Sequence, residues 1–363
     1  RPQKIEFSTF FTDIKTALAL GGDCAADQPT GDWAHPTTLG SADTTPPSIK
    51  ATDIDVLHKI VYMAADPSSA SDPDFFIFDA RNITVATPPA QVSSLNTGPG
   101  LAGVDVAGSY AYGANDSKNG QLQIIDISTI ATPSVKTTFN IAPGGADSNT
   151  VGTSIYYYDS KIYLGLKKNT HAELYVIDVS DPLSLSPGSI KGSYEVGATI
   201  NAIYVRGNYA YIATPNSEEL TIIDIDETSP TFMERVGGFN APLGSGNGKS
   251  LKIVGNILYL GRTVGGKEFY ILDITNPIAP TIVGSYDVNS SINDLVVAGR
   301  YAFLATSEAN REFQVLDMYN PATPVFLGKY NFSEKATGIE YEDNLIYISN
   351  ENQDALRIVT SGP

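Results

Sequence analysis

An aromatic residue recurs along the chain at a near-constant interval, each time inside a stretch of alternating apolar residues. Successive copies are separated by 50, 51, 48, 48, 44 and 44 residues. An interval of this length predicts seven repeats of one small structural unit. It does not indicate a single irregular domain. The seven positions are Tyr62, Tyr112, Tyr163, Tyr211, Tyr259, Phe303 and Tyr347.

A second apolar strand follows each aromatic, and in six copies it ends on an aspartate. We interpret this repeated Asp as structural, because its carboxylate can accept backbone N–H bonds in the turn that follows and a catalytic group is rarely needed in every copy. The seventh copy carries Thr360 instead. The six positions are Asp79, Asp126, Asp178, Asp224, Asp273 and Asp317.

Turn signals divide each copy into four short strands. Two-residue hairpin turns are predicted at Gly108-Ser109, Asp159-Ser160, Gly207-Asn208, Gly255-Asn256 and Gly299-Arg300. A Pro-rich turn and a fourth strand follow the Asp, most clearly at 276–286 and 320–330. Four-stranded units of this length predict an all-β fold, a seven-bladed β-propeller of antiparallel blades.

The last copy reaches Pro363 without a fourth strand. Residues 34–41 align without a gap with residues 322–329, which form the fourth strand of another copy. We therefore expect residues 34–41 to close the last blade, so that the ring has no open junction. The propeller domain is predicted to cover residues 23–363.

Residues 1–22 have a different pattern. Phe7, Phe11, Ile14 and Leu18 fall on one face of a predicted amphipathic helix that ends near Gly21-Gly22. The segment resembles the soluble part of a type IV pilin or pseudopilin helix, which would place a membrane segment before Arg1. The alternatives are a helix that caps the propeller and an assembly helix that packs on another subunit.

The charge balance excludes one class of partner. The chain has 23 Lys and Arg against 40 Asp and Glu, a formal charge of −17, which repels phosphate backbones and makes nucleic acid an unsuitable ligand. The single cysteine, Cys24, permits no internal disulfide and no cysteine-based metal cluster. The sequence contains no run of 18 apolar residues, so it predicts no membrane-spanning helix.

Three strands carry a family signature. LYVID at 174–178, FYILD at 269–273 and FQVLD at 313–317 resemble the strand that gives the LVIVD-repeat propellers their name. The resemblance implies a propeller fold and an exported or surface protein. It implies no catalytic residues.

Other motifs predict neither a catalytic site nor a cofactor site. His35, His58 and His171 fall in different copies, and the GKS sequence at 248–250 lacks the first glycine and the helix of a phosphate-binding loop. Asp72-Pro73-Asp74 and Asp224-Ile225-Asp226-Glu227 could offer oxygens to calcium, but neither matches a known calcium loop. We expect no catalytic residue, no metal and no cofactor, with calcium as the one ion to consider.

Two loops, at 141–152 and 240–249, are longer than a blade connection needs and should open onto one face of the ring, around the channel mouth. The residues expected to face a ligand or partner are Asp147, Asn149, Asn240, Asn247 and Lys249.

The expected function is a non-enzymatic extracellular or cell-surface protein used for binding, adhesion or display, associated with a pilus or filament. Its partners would be a protein or glycan ligand or copies of itself. The alternatives are a lyase or hydrolase with its site at the channel mouth, and a structural subunit of an extracellular filament.

Overall fold

The computed structural model describes residues 28–47, 49–142, 147–216, 218–242, 244–332, 334–351 and 354–363. These residues form 28 β-strands in seven antiparallel sheets of four strands each, so the predicted seven-bladed β-propeller is confirmed. The helix predicted over residues 1–22, with Phe7, Phe11, Ile14 and Leu18, lies outside the described residues. Within the described part, no helix is long and apolar enough to cross a membrane.

Blades 1 to 6 each use four consecutive strands, named here from the axis outwards. Blade 1 contains β2 (Lys50–Leu57), β3 (Ile60–Asp66), β4 (Phe75–Asp79) and β5 (Ala90–Leu95). Blade 2 contains β6 (Leu101–Ala107), β7 (Tyr110–Asn115), β8 (Leu122–Asp126) and β9 (Ser134–Phe139). Blade 3 contains β10 (Gly152–Tyr158), β11 (Lys161–Leu166), β12 (Leu174–Asp178) and β13 (Ile190–Tyr194).

The remaining blades repeat this order. Blade 4 contains β14 (Ala202–Arg206), β15 (Tyr209–Ala213), β16 (Leu220–Asp224) and β17 (Arg235–Phe239). Blade 5 contains β18 (Gly248–Val254), β19 (Ile257–Arg262), β20 (Phe269–Asp273) and β21 (Thr281–Tyr286). Blade 6 contains β22 (Ile292–Ala298), β23 (Tyr301–Thr306), β24 (Phe313–Asp317) and β25 (Val325–Tyr330). Blade 7 contains β26 (Ala336–Glu342), β27 (Leu345–Asn350), β28 (Leu356–Gly362) and, outermost, β1 (Asp32–Ala42).

The first strand of every blade faces the axis. Each first strand contacts the first strands of both neighbouring blades, from β2 through β26 and back to β2, so the ring is closed. The outermost strands, β5, β9, β13, β17, β21, β25 and β1, form its rim.

Blade 7 joins the two ends of the described chain. β1 runs antiparallel to β28, with Thr38 opposite Val359 and Gly40 opposite Ile358, and it contains residues 34–41. Trp33 is only 1% exposed and packs edge-on against Phe303 of blade 6 at 4.7 Å. The ring therefore closes through hydrogen bonding in one blade and apolar packing on the next.

The repeated aromatics fill the space between blades. All seven lie in the second strands and are at most 9% exposed. Across blades 2 and 3, for example, the rings of Tyr112 and Tyr157 stack at 5.3 Å. Because each blade buries its faces only against its neighbours, these large side chains supply much of the apolar burial that holds the ring together.

The hairpin turns next to the axis use the expected residues. Gly108, Gly207, Gly255 and Gly299 all have φ between 54° and 59°, the left-handed conformation that two-residue hairpins require. The repeated strand-end aspartates also act as predicted. Each accepts the N–H of the second residue after it at 2.8–3.0 Å, in the donor pairs Arg81 to Asp79, Ser128 to Asp126, Ser180 to Asp178, Asp226 to Asp224, Thr275 to Asp273 and Tyr319 to Asp317.

Candidate functional site

Both long loops open onto the same side of the ring, which we call the upper face. Antiparallel strands reverse direction at every turn, so the loops that enter first strands emerge beside the loops that join second to third strands. The upper face therefore combines the β9–β10 and β17–β18 connections with shorter loops such as 167–173.

Asp147 fastens the first long loop to its neighbour. Its Oδ1 accepts the N–H of Asn149 at 2.7 Å, and its Oδ2 accepts the N–H and the hydroxyl of Thr170 at 3.0 and 2.9 Å. The Asn149 N–H is the largest of the effects that hold the pKa of Asp147 below its usual value. Asp147 thus fixes the part of the loop from residue 147 onwards, and Asn149 in this part is exposed.

A buried ion pair fastens the second long loop. The Arg262 guanidinium is fully buried, and its Nη2 donates to Glu219 Oε1 at 2.6 Å and to the Gly246 carbonyl at 3.0 Å. The other carboxylate oxygen of Glu219 accepts the N–H of Ala241 at 2.8 Å. The loop is therefore held near both of its ends by side chains of blades 4 and 5.

The remaining predicted partner-facing residues differ in their accessibility. Asn240 is exposed, whereas Asn247 is half-buried. The backbone of Asn247 makes two hydrogen bonds with Thr263. Its N–H donates to the Thr263 hydroxyl at 2.8 Å, and its carbonyl accepts the Thr263 N–H at 2.9 Å. Lys249 donates from Nζ to Asn293 Oδ1 at 2.6 Å, and desolvation lowers its pKa. Asn149 and Asn240 are therefore the best exposed of the five.

Carboxylates bridge neighbouring blades at the axis, which sequence reasoning missed. Asp53 accepts the N–H of Ile54 and, from the next blade, the N–H of Val104, both at 2.9 Å. Asp55 does the same one level lower, with Val56 at 2.8 Å and Val106 at 2.7 Å. The first strand is the inner edge of each sheet, so these N–H groups have no strand partner and need another acceptor.

Two further blade junctions use the same arrangement. Asp105 accepts the N–H of Tyr157 at 2.7 Å, and Asp294 accepts the N–H groups of Leu295 at 2.8 Å and Ile339 at 2.9 Å. A signal was present in the sequence, since Asp53 and Asp294 each stand five residues before a hairpin turn. Polar residues at these positions interrupt the apolar pattern of a strand.

Two axial carboxyl groups have strongly raised pKa values. Burial, then the charge of Asp294, raises the pKa of Asp53 to about 8. Burial is also the largest cause for Asp294, whose pKa is raised to about 7, with the charge of Glu340 adding to the effect. At neutral pH the axis therefore carries less negative charge than its composition suggests.

Aromatic and charged side chains fill the axis one level lower. The rings of Tyr156 and Tyr204 are 4.8 Å apart, and Lys252 Nζ lies 6.0 Å from the Tyr204 ring. Lys252 also pairs with Glu340 at 3.7 Å, across the intervening blade. The lower axis is thus lined by side chains that contact each other.

A second repeat lies on the upper face and was also missed. Five residues before each of the six strand-end aspartates stands a buried acid or amide, and it accepts the N–H of a residue that follows the fourth strand of the same blade. A comparison of the copies at that spacing would have found it. The donor pairs are Thr97 to Asp74, Ile141 to Gln121, Val196 to Glu173, Ala241 to Glu219, Val288 to Glu268 and Phe332 to Glu312.

The other candidate motifs lie apart from one another. His35 bonds Asp32 at 2.7 Å on β1, while His58 and His171 belong to blades 1 and 3. No group of three or more His, Cys, Asp or Glu suited to a metal occurs within the described residues. In the two acidic clusters, Asp74 and Asp224 already accept hydrogen bonds from protein donors, and the GKS sequence opens strand β18.

Comparison with known proteins agrees with the repeat analysis. Residues 101–141, 199–237, 245–288 and 291–332 match the LVIVD repeat, so the chain contains LVIVD repeats in blades 2, 4, 5 and 6. No curated protein matches the sequence.

Several solved structures share the fold at low identity. A chain of the mitotic checkpoint complex has a TM-score of 0.65 at 11% identity, covering 100% of this chain and 99% of that one. The Cps50 (Swd1) β-propeller domain of Myceliophteria thermophila has a TM-score of 0.64 at 12% identity, covering 90% and 100%. The computationally designed Ika8 protein has a TM-score of 0.58 at 12% identity, covering 90% and 98%. At such identities the likeness concerns the fold alone.

Proposed function

We propose that the protein is a non-enzymatic scaffold that binds a protein partner on its upper face. The observation that carries the proposal is that both long loops of this face are fastened by polar contacts, through Asp147 in one case and the buried Arg262–Glu219 pair in the other. The described residues that are held by such contacts lose little conformational entropy when a partner binds. Asn149 and Asn240 are then held in place as exposed polar contacts.

The axial acids are the observation that favours an enzyme as the second candidate. Raised pKa values such as those of Asp53 and Asp294 are frequent at catalytic sites. Both carboxylates, however, already accept backbone N–H groups from two blades, which accounts for them as structural groups. A broad hydrolase and lyase screen with wild type and Asp294→Asn distinguishes the two, because an activity lost in the variant would replace the scaffold with an enzyme.

We also propose that the scaffold works outside the cytoplasm. The LVIVD repeats, the strong negative charge and the single cysteine support this placement. Fractionation of the source cells, followed by immunodetection of the chain, tests it. A subunit of an extracellular filament is the alternative, and light scattering of the full chain separates the two, because a filament subunit would form large particles.

The upper-face proposal is tested by capture followed by mutagenesis. Proteins cross-linked to the full chain in its native source are identified, purified and measured by surface plasmon resonance. We expect Asn149→Arg and Asn240→Arg to weaken binding about tenfold or more, as substitutions at the centre of an interface do. Thr129→Arg, exposed on the opposite face, is the matched control and should bind like wild type. A purified partner that binds all three variants equally would rule out the upper face, and a glycan as the captured species would replace the protein partner.

A further inference from the structure

The rim of the propeller is not uniform. Among the described residues, the outermost strand of each blade has one edge without a strand partner, which is a place where other chains can pair. In β9, β13 and β17 this strand carries a basic residue bound to an acid of its own blade. Lys136 pairs with Asp126 at 3.4 Å, Lys191 with Asp178 at 3.2 Å, and Arg235 Nε with Glu218 at 2.8 Å. Charges at these positions oppose pairing with a foreign strand.

Blades 5 and 6 have no charged residue at the corresponding positions. The same holds for blade 1, but its outer strand β5 has no large apolar side chain that is exposed. At the positions equivalent to Arg235, counted from the glycine of the fourth strand, β21 has Ile282 and β25 has Phe326, and neither neighbour of these two residues is charged. Ile282 is 46% exposed, Val325 54% and Phe326 42%.

Exposed apolar side chains are concentrated in this place. Of the nine large apolar residues that are exposed in the described part of the chain, five belong to the outer strands or adjoining turns of blades 5 and 6. We call these five the rim patch: Ile278, Ile282, Tyr319, Val325 and Phe326.

The two strands of the rim patch are neighbours. Pro321, in the turn that leads into β25, lies directly against Gly284 of β21. Tyr319, in the same turn, lies 6.0 Å from the Arg300 guanidinium, which in turn pairs with Asp317 at 3.0 Å. A cluster of exposed apolar side chains is typical of a protein-binding surface.

We infer that the outer edge of β25 binds an extended apolar segment of a different protein, which adds to blade 6 as a fifth strand and packs its side chains on the rim patch. The inference rests on the proposed scaffold function and names a second partner surface for it. Strand addition supplies affinity through backbone hydrogen bonds and specificity through alternate side chains. Blade 7 already shows this geometry within the chain, because its outermost strand, β1, comes from the opposite end of the sequence.

The net charge of the chain indicates which kind of segment binds at the rim patch. Each copy of the chain carries −17, so two copies repel each other, and Lys329 is the only charged residue among those of β21 and β25. A segment of another protein that is apolar and neutral or basic overall meets no such repulsion.

The test uses the full chain and a defined probe, a fluorescent peptide of alternating Val and Thr with a Lys at each end, measured by fluorescence anisotropy at high ionic strength. A second peptide has the same side chains but every backbone amide N-methylated, so that neither of its edges can donate. We expect the first peptide to bind and the second to bind at least about tenfold more weakly, because it cannot donate the backbone bonds. Phe326→Lys, which places a basic residue at the position that Arg235 holds in blade 4, should reduce binding by a similar factor.

Leu183→Lys is the matched control, an exposed apolar residue of blade 3 that should leave binding unchanged. Equal binding of the two peptides, or no binding to wild type, would overturn strand addition. A concentration-dependent dimer that Phe326→Lys abolishes would identify a second copy as the occupant. A cross-link between Lys15 and Lys329 within one chain would identify the N-terminal segment instead. Because Asn149→Arg should bind the peptide normally, loss of the upper-face partner and loss of the rim site are separable results.

Discussion

Arg262 and Glu219 form an ion pair of 2.6 Å between blades 5 and 4, with both side chains almost completely buried. Neither residue belongs to the repeat of aromatics and aspartates that defines the blades. The pair instead fastens the second long loop of the upper face, through the Gly246 carbonyl and the Ala241 N–H. The same ion pair therefore connects two blades and holds a loop of the candidate site in place.

Breaking this pair should be costly. Arg262→Leu leaves a buried, unpaired carboxylate, and we expect it to lower the free energy of unfolding by about 3–5 kcal/mol. Glu219→Gln combined with Arg262→Leu should recover part of that loss, because the amide oxygen can still accept the Ala241 N–H. Urea unfolding of the two single variants and the double variant measures the coupling. Additive losses would show that the pair contributes nothing beyond its separate residues.

The repeated buried acids of the upper face should contribute more to the free energy of unfolding than the repeated strand-end acids. Glu268 accepts the N–H groups of Val288 and Asn289, both at 3.0 Å, and of Gly265 at 3.2 Å. Glu268→Ala leaves these donors without an acceptor and should cost about 2–3 kcal/mol, measured by urea unfolding. Asp273→Ala, in the same blade, loses only exposed bonds to Thr275 and should cost less. A larger loss for Asp273→Ala would reverse the ranking.

The difference between these two sets of acids shows what the sequence could and could not reveal. The strand-end aspartates were predicted because an Asx turn is local and needs only the two residues that follow. Glu268 also accepts the N–H of Val288, 20 positions away, and Asp53 that of Val104, 51 positions away, and such distant partners become visible only when strands and blades are placed side by side. The blade count, the hairpins and the closing strand follow from local patterns in the same way.

The upper face was predicted in outline and not in detail. Loop length indicated where to look, and the two loops do share one face. Whether a given side chain there is free or used internally depends on packing between blades. Asp147 and Lys249 are engaged in intramolecular bonds, whereas Asn149 and Asn240 are exposed, and all four are polar loop or loop-edge residues with no sequence feature that separates them.

Stability should fall as the pH rises through neutrality. Asp53, Asp294 and Asp74 have folded-state pKa values of about 8, 7 and 6, above the value of 3.8 for an unperturbed Asp. The folded state therefore binds protons that the unfolded state has released, and the stabilisation is complete below pH 4 for these groups and is lost as the pH rises towards 8. Urea midpoints between pH 5 and pH 9 measure the decline.

Asp294→Asn isolates the axial contribution. It removes one of the raised pKa values and also removes the charge that raises the pKa of Asp53, so the decline between pH 5 and pH 9 should become shallower. Asp178→Asn is the control, since the pKa of Asp178 is lowered to about 2 and its contribution is constant over this range. A wild-type midpoint that does not change from pH 5 to pH 9 would contradict the assignment.

The fluorescence of Trp33 reports whether the closing strand is in place, because Trp33 is the only tryptophan of the chain and lies in β1. Trp33→Ala removes a side chain that is 1% exposed and its contact with Phe303, and should cost about 3–5 kcal/mol in unfolding followed by circular dichroism. Val85→Ala, at a position that is 86% exposed, should have almost no effect. In wild type, tryptophan fluorescence and circular dichroism should report the same urea midpoint. Separation of β1 from β28 leaves blade 7 with three strands and exposes the apolar face of blade 6 that Trp33 covers, so the ring should unfold together with this strand. A fluorescence transition at lower urea would show that the closing strand detaches before the ring unfolds.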